Sequence, residues 1–146
     1  MSEVKEIAAR ETHALRVGVL RKGIDNPDVH YPQDDDPRAF HLGVLLDGAL
    51  VGVASFSPAT TPHRGGVEAW QLRGMAVADE YQGRGFGGLV IAEAIARVRA
   101  EGAFVLWCNA RDSALAFYSK LGFSVCGDGF VTADSGLPHH VMVLDL

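Results

Sequence analysis

The sequence predicts an α/β fold with one mixed sheet, in the element order β-α-β-β-β-α-β-α-β-β. Three observations support this prediction. Two apolar runs, residues 39–46 and 50–56, flank an Asp-Gly pair (residues 47–48), which is a strong signal for an antiparallel hairpin. An amphipathic pattern separates the apolar runs of residues 68–77 and 103–108. These two strands are therefore expected to be parallel, joined by a crossover helix.

The elements before the hairpin are predicted as a strand, a helix and a loop. Residues 4–7 can form a short strand, and the spacing of apolar residues predicts a helix over residues 11–22 that Gly23 ends. Residues 24–37 are rich in proline and aspartate, which indicates a loop. We interpret its carboxylates as a solvated surface; as an alternative, residues 34–36 attract a cationic amine.

The elements after the parallel strands complete the sheet. The crossover helix follows a glycine-rich bend and ends before Gly102, with arginines in its last turn. A second, short helix starts at residue 112 or 113 and runs to Leu121. Residues 123–131 and 140–146 are expected to close the sheet as a hairpin-like pair.

Composition narrows the functional classes. A chain of 146 residues can bury one core, so we expect a single domain over residues 1–146. The net charge of -5 argues against a nucleic-acid partner. No apolar run reaches the roughly 18 residues of a membrane span, and the charged N-terminus predicts a cytoplasmic protein. Cys108 and Cys126 are expected to be free thiols, and we expect no metal site.

The glycine-rich bend carries the strongest functional signal. Gly83, Gly85, Gly87 and Gly88 remove side chains where a loop becomes a helix. Backbone N–H groups can then face outward at the positive end of the helix dipole, which favours a bound phosphate. Arg84 adds a positive charge. The alternative is a simple turn, although four glycines exceed what a turn needs.

The same glycines also satisfy the pattern G-x-G-x-x-G of dinucleotide-binding folds. In those folds the first glycine ends the strand directly, whereas five residues separate Val77 from Gly83 here. Arg111 could favour a 2′-phosphate, but too few residues follow for the rest of a doubly wound sheet. A P-loop is excluded because no Lys-Ser or Lys-Thr follows the glycines.

Two motifs together resemble the GCN5-related N-acetyltransferase (GNAT) superfamily. Residues 82–87, QGRGFG, resemble the family segment Q/R-x-x-G-x-G/A. Residues 114–123, ALAFYSKLGF, resemble its second signature, A-x-x-F-Y-x-K-L-G-F. Met75-Ala76-Val77 resembles the strand before the loop, so the similarity covers most of the chain from Leu72 onward.

This resemblance implies a GNAT fold: a mixed central sheet of about six to seven strands flanked by helices, with a splay between the two central parallel strands. It also implies acetyl-CoA as the acyl donor, with its pyrophosphate on the glycine bend and its pantetheine arm along the preceding strand. The residues expected to bind it are Met75, Ala76, Val77, Gln82, Gly83, Arg84, Gly85, Phe86, Gly87, Gly88, Asn109, Arg111, Ala114 and Tyr118.

By the same resemblance, Tyr118 donates a proton to the departing thiolate, although it can also be read as a core residue. We expect substrate contacts from His41, Gln71, Arg73 and His139. Arg73 can bind a substrate carboxylate or pair with a neighbouring acid. His41 is alternatively a core histidine.

Two positions depart from the family pattern. Arg111 stands where members often have an asparagine, and Asn109 can take over that contact. Gln71 stands where many members have a glutamate base, and glutamine cannot accept a proton. The alternatives for the base are Glu68, His41, His139 or a water chain. Cys108 could form an acyl-enzyme, but it ends an apolar strand without an evident base, which favours core packing.

The resemblance therefore predicts direct transfer of an acetyl group from acetyl-CoA to a primary amine of a small molecule. Two alternatives stay open: the same fold with a longer acyl-CoA, and a CoA-binding regulatory module without turnover. The last strands could also pair two copies into a homodimer.

Overall fold

The computed structural model describes residues 1–146 and contains one seven-stranded mixed sheet in the order β1-β2-β3-β4-β5-β7-β6. Only β4 and β5 pair in parallel. The mixed α/β architecture predicted from the sequence is confirmed. The strands are β1 (Ser2–Ile7), β2 (Phe40–Leu46), β3 (Ala49–Pro58), β4 (Ala69–Val77), β5 (Val105–Arg111), β6 (Ser124–Val131) and β7 (Pro138–Asp145).

The hairpin of β2 and β3 forms where the sequence predicted it. Asp47 and Gly48 both have left-handed backbone conformations, with φ of 49° and 85°. Such a two-residue turn matches the right-handed twist of the strands, and Leu46 consequently pairs with Ala49. β1 adds to this hairpin by pairing antiparallel with β2.

Two helices cover one face of the sheet. Helix α2 (Phe86–Ala100) buries Val90, Ile91, Ala94 and Val98, and helix α3 (Leu115–Lys120) buries Tyr118. These side chains belong to a core of 20 buried residues that includes the inward side chains of β2 to β5. Neither helix, nor any other in the chain, has the length and apolarity that crossing a bilayer requires.

The first helical segment, residues 9–20, covers part of the opposite face. It consists of a 3-10 turn (Ala9–Thr12), an α-helical turn α1 (His13–Leu15) and a π-helical stretch (Arg16–Leu20). The prediction of a helix over residues 11–22 is therefore right in place but not in regularity. Short π-helical stretches often mark functional sites, and this one lies against β4.

β4 and β5 separate halfway along their length. Their parallel pairing runs from Ala69 with Val105 to Leu72 with Cys108, although β4 continues to Val77 and β5 to Arg111. Gly74 lies at the divergence with φ of 62°, and a Cβ atom there would be 2.8 Å from Arg16 Nε. The predicted splay between the two central parallel strands is thus present.

The loop before β2 is not the purely solvated surface that its composition suggested. The Asp34 side chain is 2% exposed and forms an ion pair with the fully buried Arg16, at 2.7 Å. Asp34 belongs to a short 3-10 turn, Pro32–Asp35, which this pair holds against the sheet. Asp35 remains exposed at 75%, and Asp25 and Asp28 are exposed as well, so the solvated interpretation holds for these three carboxylates but not for Asp34.

Candidate active site

Two adjoining cavities open where β4 and β5 diverge. The smaller has a volume of about 220 Å³, and the larger about 810 Å³. They adjoin because four residues line both of them: Leu20, Met75, Arg111 and Ala114. A ligand held in the larger cavity can therefore reach into the smaller one through the splay.

The larger cavity contains the glycine-rich bend. The first hydrogen bond of α2 runs from Leu89 N–H to Gly85 O, so the N–H groups of residues 86–88 have no acceptor within the helix. Such groups lie at the positive end of the helix dipole and favour an anion. Four glycines of the bend line this cavity: Gly83, Gly85, Gly87 and Gly88.

The glycines serve different purposes. Gly83 and Gly85 have φ of 78° and 84°, a conformation that side-chain-bearing residues rarely adopt. Gly87 instead allows close packing, because a Cβ atom there would be 2.7 Å from the Phe117 ring of α3. The bend thus needs glycine both for its backbone path and for the contact between α2 and α3.

Gln82 holds the bend from within. Its side-chain Nε2 donates to Val77 O at 2.9 Å and to Asp79 Oδ1 at 3.3 Å. Its backbone N–H donates to Asp79 O. Gln82 is therefore placed to shape the loop rather than to offer its amides to a phosphate.

Basic side chains outnumber acidic ones in the lining of the larger cavity, where Asp79 is the acidic residue. Lys22, Lys120 and Arg111 line it. Lys22 is ion-paired with Asp79. Arg84 points elsewhere: its guanidinium stacks over the Tyr81 ring at 5.4 Å, and it does not line either cavity. The free cationic groups are suited to a ligand with several phosphate charges.

The smaller cavity collects most of the predicted site residues. Its lining includes Gln71, Arg73, Asn109 and His139 from the strands and Tyr118 from helix α3. The shared location follows from strand geometry, since alternate residues of paired strands point to the same face. The β5–β7 register places His139 opposite Arg111 on that face.

Tyr118 lies at the floor of the smaller cavity. It is 5% exposed and packs edge-on against Phe117 and Phe123, with ring centroids 5.0 and 5.4 Å away. Burial, with a smaller contribution from Cys108, raises the pKa of Tyr118 well above its ordinary value. The phenol therefore stays protonated at neutral pH and can donate a proton.

His139 has one ring nitrogen fixed and the other free. Nδ1 lies 2.8 Å from Leu137 O, and a carbonyl oxygen can only accept, so Nδ1 carries the hydrogen. The ring also stacks on Phe130, with 5.9 Å between centroids. Nε2 of the neutral ring then has a lone pair and can accept a proton.

Cys108 also lines the smaller cavity, but its chemistry is unfavourable for a nucleophile. The residue is 1% exposed, and burial raises the pKa of the thiol to about 12. Because the thiolate is the reactive form, this cysteine is unreactive at neutral pH. The side chain packs in the core, and the alternative of an acyl-enzyme gains no support.

Several predicted residues lie outside both cavities. His41 is 6% exposed, and its Nδ1 is 2.7 Å from Ser55 Oγ in the interior. Ala76 is buried in a small core beneath the first helical segment. Glu68 is exposed at the far end of β4 from the splay. Of the three side chains considered as the general base, His139 therefore lines the smaller cavity, and His41 and Glu68 do not.

Sequence reasoning missed part of the cavity wall, because these residues lie in loops without a motif. The missed wall residues are Arg21, Tyr31, Thr132, Asp134 and Ser135. A cluster of possible metal ligands was also missed: one atom each of His13, His30 and Asp34 lies within 4.8 Å of the others. Arg16 donates to both oxygens of that carboxylate, which disfavours a cation there.

Similarity to known sequences identifies the class of this protein as an acyltransferase. The chain belongs to the Acetyltransferase (GNAT) family, whose sequence model matches residues 4–123. It is 34% identical over 143 residues to the uncharacterized N-acetyltransferase YitI of Bacillus subtilis, covering 98% of this chain and 95% of that protein.

Solved structures share the fold at low sequence identity. FeeM, an N-acyl amino acid synthase from uncultured soil microbes, superposes with a TM-score of 0.80 at 16% identity, covering 99% of this chain and 91% of FeeM. An aminoglycoside 6'-N-acetyltransferase, crystallised with coenzyme A, superposes with a TM-score of 0.73 at 14% identity. That match covers 98% of this chain and 96% of the other.

Gly85→Val is expected to raise the KM for a CoA thioester by at least about 10-fold, because a β-branched residue is strained at positive φ and would distort the amide-lined entrance. Steady-state kinetics and calorimetry with CoA check this. Gly66→Val is the matched control, since Gly66 also has positive φ, 78°, with open space around it. Equal CoA affinity in a folded Gly85 variant would place the phosphates elsewhere.

Proposed function

We propose that this acyltransferase moves the acetyl group of acetyl-CoA directly to a primary amine of a small molecule. One observation carries the proposal: the amide-lined cavity at α2 joins, through the splay, a small cavity that contains Tyr118 and His139. The first cavity suits a long, phosphate-bearing donor, and the second suits a small acceptor.

The residues of the larger cavity fit acetyl-CoA. The free N–H groups before Leu89 suit its diphosphate, and Lys120 adds charge beside them. β4 has no β5 partner beyond Leu72, so Met75 presents an unpaired edge along which a pantetheine amide chain can run as an added strand. Val77 O already accepts a hydrogen bond from Gln82 Nε2, so the added strand can pair only with the part of β4 before Val77. The bound CoA of the aminoglycoside enzyme is consistent with this assignment.

The chain supplies two proton-transfer groups for this reaction. Acetyl-CoA, when bound, contributes the thioester that the amine attacks. His139 Nε2 takes the proton that the ammonium form of the acceptor must lose before its nitrogen can attack the carbonyl carbon. As the C–S bond breaks, Tyr118 gives its phenolic proton to the sulfur. The nitrogen that has attacked releases its second proton to solvent, and solvent re-protonates Tyr118. The acceptor becomes an amide, and the CoA thiol leaves.

His139→Gln is expected to lower kcat/KM for the amine by about 100-fold near neutral pH. The loss should shrink as pH rises, because more acceptor is then already unprotonated and needs no base. His140→Gln is the matched control. His140 follows His139 on β7 and therefore points to the other face of the sheet, where its Nδ1 lies 2.7 Å from Asp112 Oδ1. A loss that stays constant with pH, or appears equally in the control, would contradict the base role.

Release of CoA thiol from acetyl-CoA across a panel of amines and amino acids tests the proposed function. Steady, acceptor-dependent release with a detected N-acetyl product is expected. Faster turnover with a longer acyl-CoA than with acetyl-CoA would instead favour the alternative in which this fold transfers a longer acyl group. Acetyl-CoA binding without release on any acceptor would contradict the proposal and favour the regulatory module.

The predicted pairing of two copies through the last strands stays a prediction. β6 forms one edge of the sheet and exposes Val125 and Val131, at 47% and 66%. Such an edge is suited to pairing.

A further inference from the structure

Three arginines line the smaller cavity, and a single acidic residue lines it with them. Arg21 is 7% exposed, while Arg73 and Arg111 are half-buried; Asp134 is the acid. A partly desolvated guanidinium is costly unless something compensates its charge. The protein partners of each arginine therefore decide which of them is available to a ligand.

Two of the three arginines have evident roles. Arg21 pairs with Asp134 at 3.2 Å and also donates to Asp28 O. Arg111 donates to Leu20 O and lines both cavities, at the passage between donor and acceptor. Neither Arg21 nor Arg111 is therefore placed to bind the acceptor alone.

Arg73 has no carboxylate partner in the protein. One Nη donates to Gln71 Oε1 at 2.7 Å, and its Nε is buried without an acceptor. Gln71 is 1% exposed and neutral, so it orients the guanidinium without cancelling its charge. The nearby acids, Asp34 and Asp134, are each paired with another arginine. Burial lowers the pKa of Arg73, as expected for a cation without a counter-charge.

We propose that the acetyl acceptor carries a carboxylate as well as its amine, and that Arg73 binds this carboxylate. The inference rests on the proposed function, whose acceptor it specifies. A guanidinium offers two parallel N–H donors that match a carboxylate. The cavity of about 220 Å³ is below the range for drug-sized ligands, so an α-amino acid or a close analogue fits better than a peptide.

The first experiment compares matched acceptors on the wild-type protein. Each amino acid is assayed beside its carboxamide, its decarboxylated amine and its aminophosphonate analogue, with kcat/KM as the readout. We expect the amino acid to exceed the amide and the amine by at least about 10-fold. A larger fraction of the carboxamide has its amine unprotonated, so the carboxamide should have the higher kcat/KM if the carboxylate were irrelevant. An equal or better neutral acceptor, or a preferred phosphonate, would overturn the proposal.

The second experiment removes the charge of Arg73. Arg73→Gln is expected to lower kcat/KM by about 10- to 100-fold for the amino acid and by far less for the decarboxylated amine. Gln71→Glu should lower the ratio of the two kcat/KM values, amino acid over amine, because its carboxylate would pair with Arg73; the ratio is the readout because a glutamate at this position could also act as a base on both acceptors. Arg99→Gln, an exposed position at the end of α2, is the control. Equal losses on both acceptors would overturn the proposal.

A binding experiment separates this inference from the proposed function. Calorimetry measures an N-acetyl amino acid and the matching N-acetyl amine, each titrated into protein saturated with CoA. One outcome would separate the two proposals: no acceptor is acetylated, yet the wild type binds the N-acetyl amino acid more tightly than the N-acetyl amine and Arg73→Gln does not. The proposal of acetyl transfer then fails, whereas the carboxylate site at Arg73 stands. No preference in the wild type overturns the carboxylate site itself.

Discussion

Tyr118→Phe is expected to lower kcat by at least about 100-fold while the affinity for acetyl-CoA changes little. The substitution removes only the phenolic oxygen and keeps the ring that packs between Phe117 and Phe123. Proton donation to a leaving thiolate acts in the transition state, so its loss should fall on kcat, in the range typical of general acids. Stopped-flow or steady-state release of CoA thiol measures the effect, with calorimetry for CoA.

The raised pKa of Tyr118 adds a pH test. Because burial keeps the phenol protonated well above its ordinary value, the wild-type rate should show no loss from Tyr118 ionisation up to about pH 10. A kcat that falls with a pKa near the ordinary tyrosine value would show that the group is not buried as described. Wild-type kcat in the phenylalanine variant, at unchanged thermal stability, would remove Tyr118 from the proton transfer.

Much of the fold was accessible from local sequence signals. Asp47-Gly48 predicts its hairpin because few residues tolerate two consecutive positive φ values. The separation of β4 from β5 by α2 predicts their parallel pairing, because crossover helices join parallel strands. Such signals are short in sequence, and they survive in the tertiary structure.

The site was only partly accessible for the opposite reason. The glycine bend and Tyr118 lie in motifs, whereas Tyr31 and Asp134 reach the smaller cavity from loops that carry no pattern. The availability of Arg73 depends on which acids pair with which arginines, and those partners are far apart in the chain: Arg21 and Asp134 are separated by 113 positions. Pairings of that kind follow from the folded packing.

The aspartate loop, as we call residues 24–37 before β2, shows the same limit most clearly. Composition does not distinguish Asp34 from Asp35, yet one carboxylate is 2% exposed and the other 75%. The difference comes from Arg16, whose guanidinium also donates to Ser55 Oγ at 2.6 Å and stacks over the Tyr31 ring at 4.1 Å. The network therefore joins the first helical segment, the loop and β3, and it supports the Tyr31 wall of the smaller cavity.

Arg16→Met is consequently expected to destabilise the protein by about 3–5 kcal/mol, because it leaves the buried Asp34 carboxylate without its counter-charge. This is a large part of the roughly 5–15 kcal/mol that stabilises a typical domain. Urea unfolding followed by circular dichroism measures the change. The double variant Arg16→Met/Asp34→Leu should regain much of the loss, since it removes both charges together.

The double-variant cycle decides between two accounts of the buried pair. If the loss comes from an uncompensated charge, Arg16→Met should be far worse than the double variant. If it comes from lost packing around Gly74 and Tyr31, both variants should be equally unstable, because both lack the arginine that fills this space. Arg16→Lys separates charge from geometry further: it keeps the cation but cannot make the two bonds to Asp34 together with the bond to Ser55. An intermediate stability for the lysine variant would show that the fork geometry, and not the charge alone, holds the aspartate loop over the acceptor cavity.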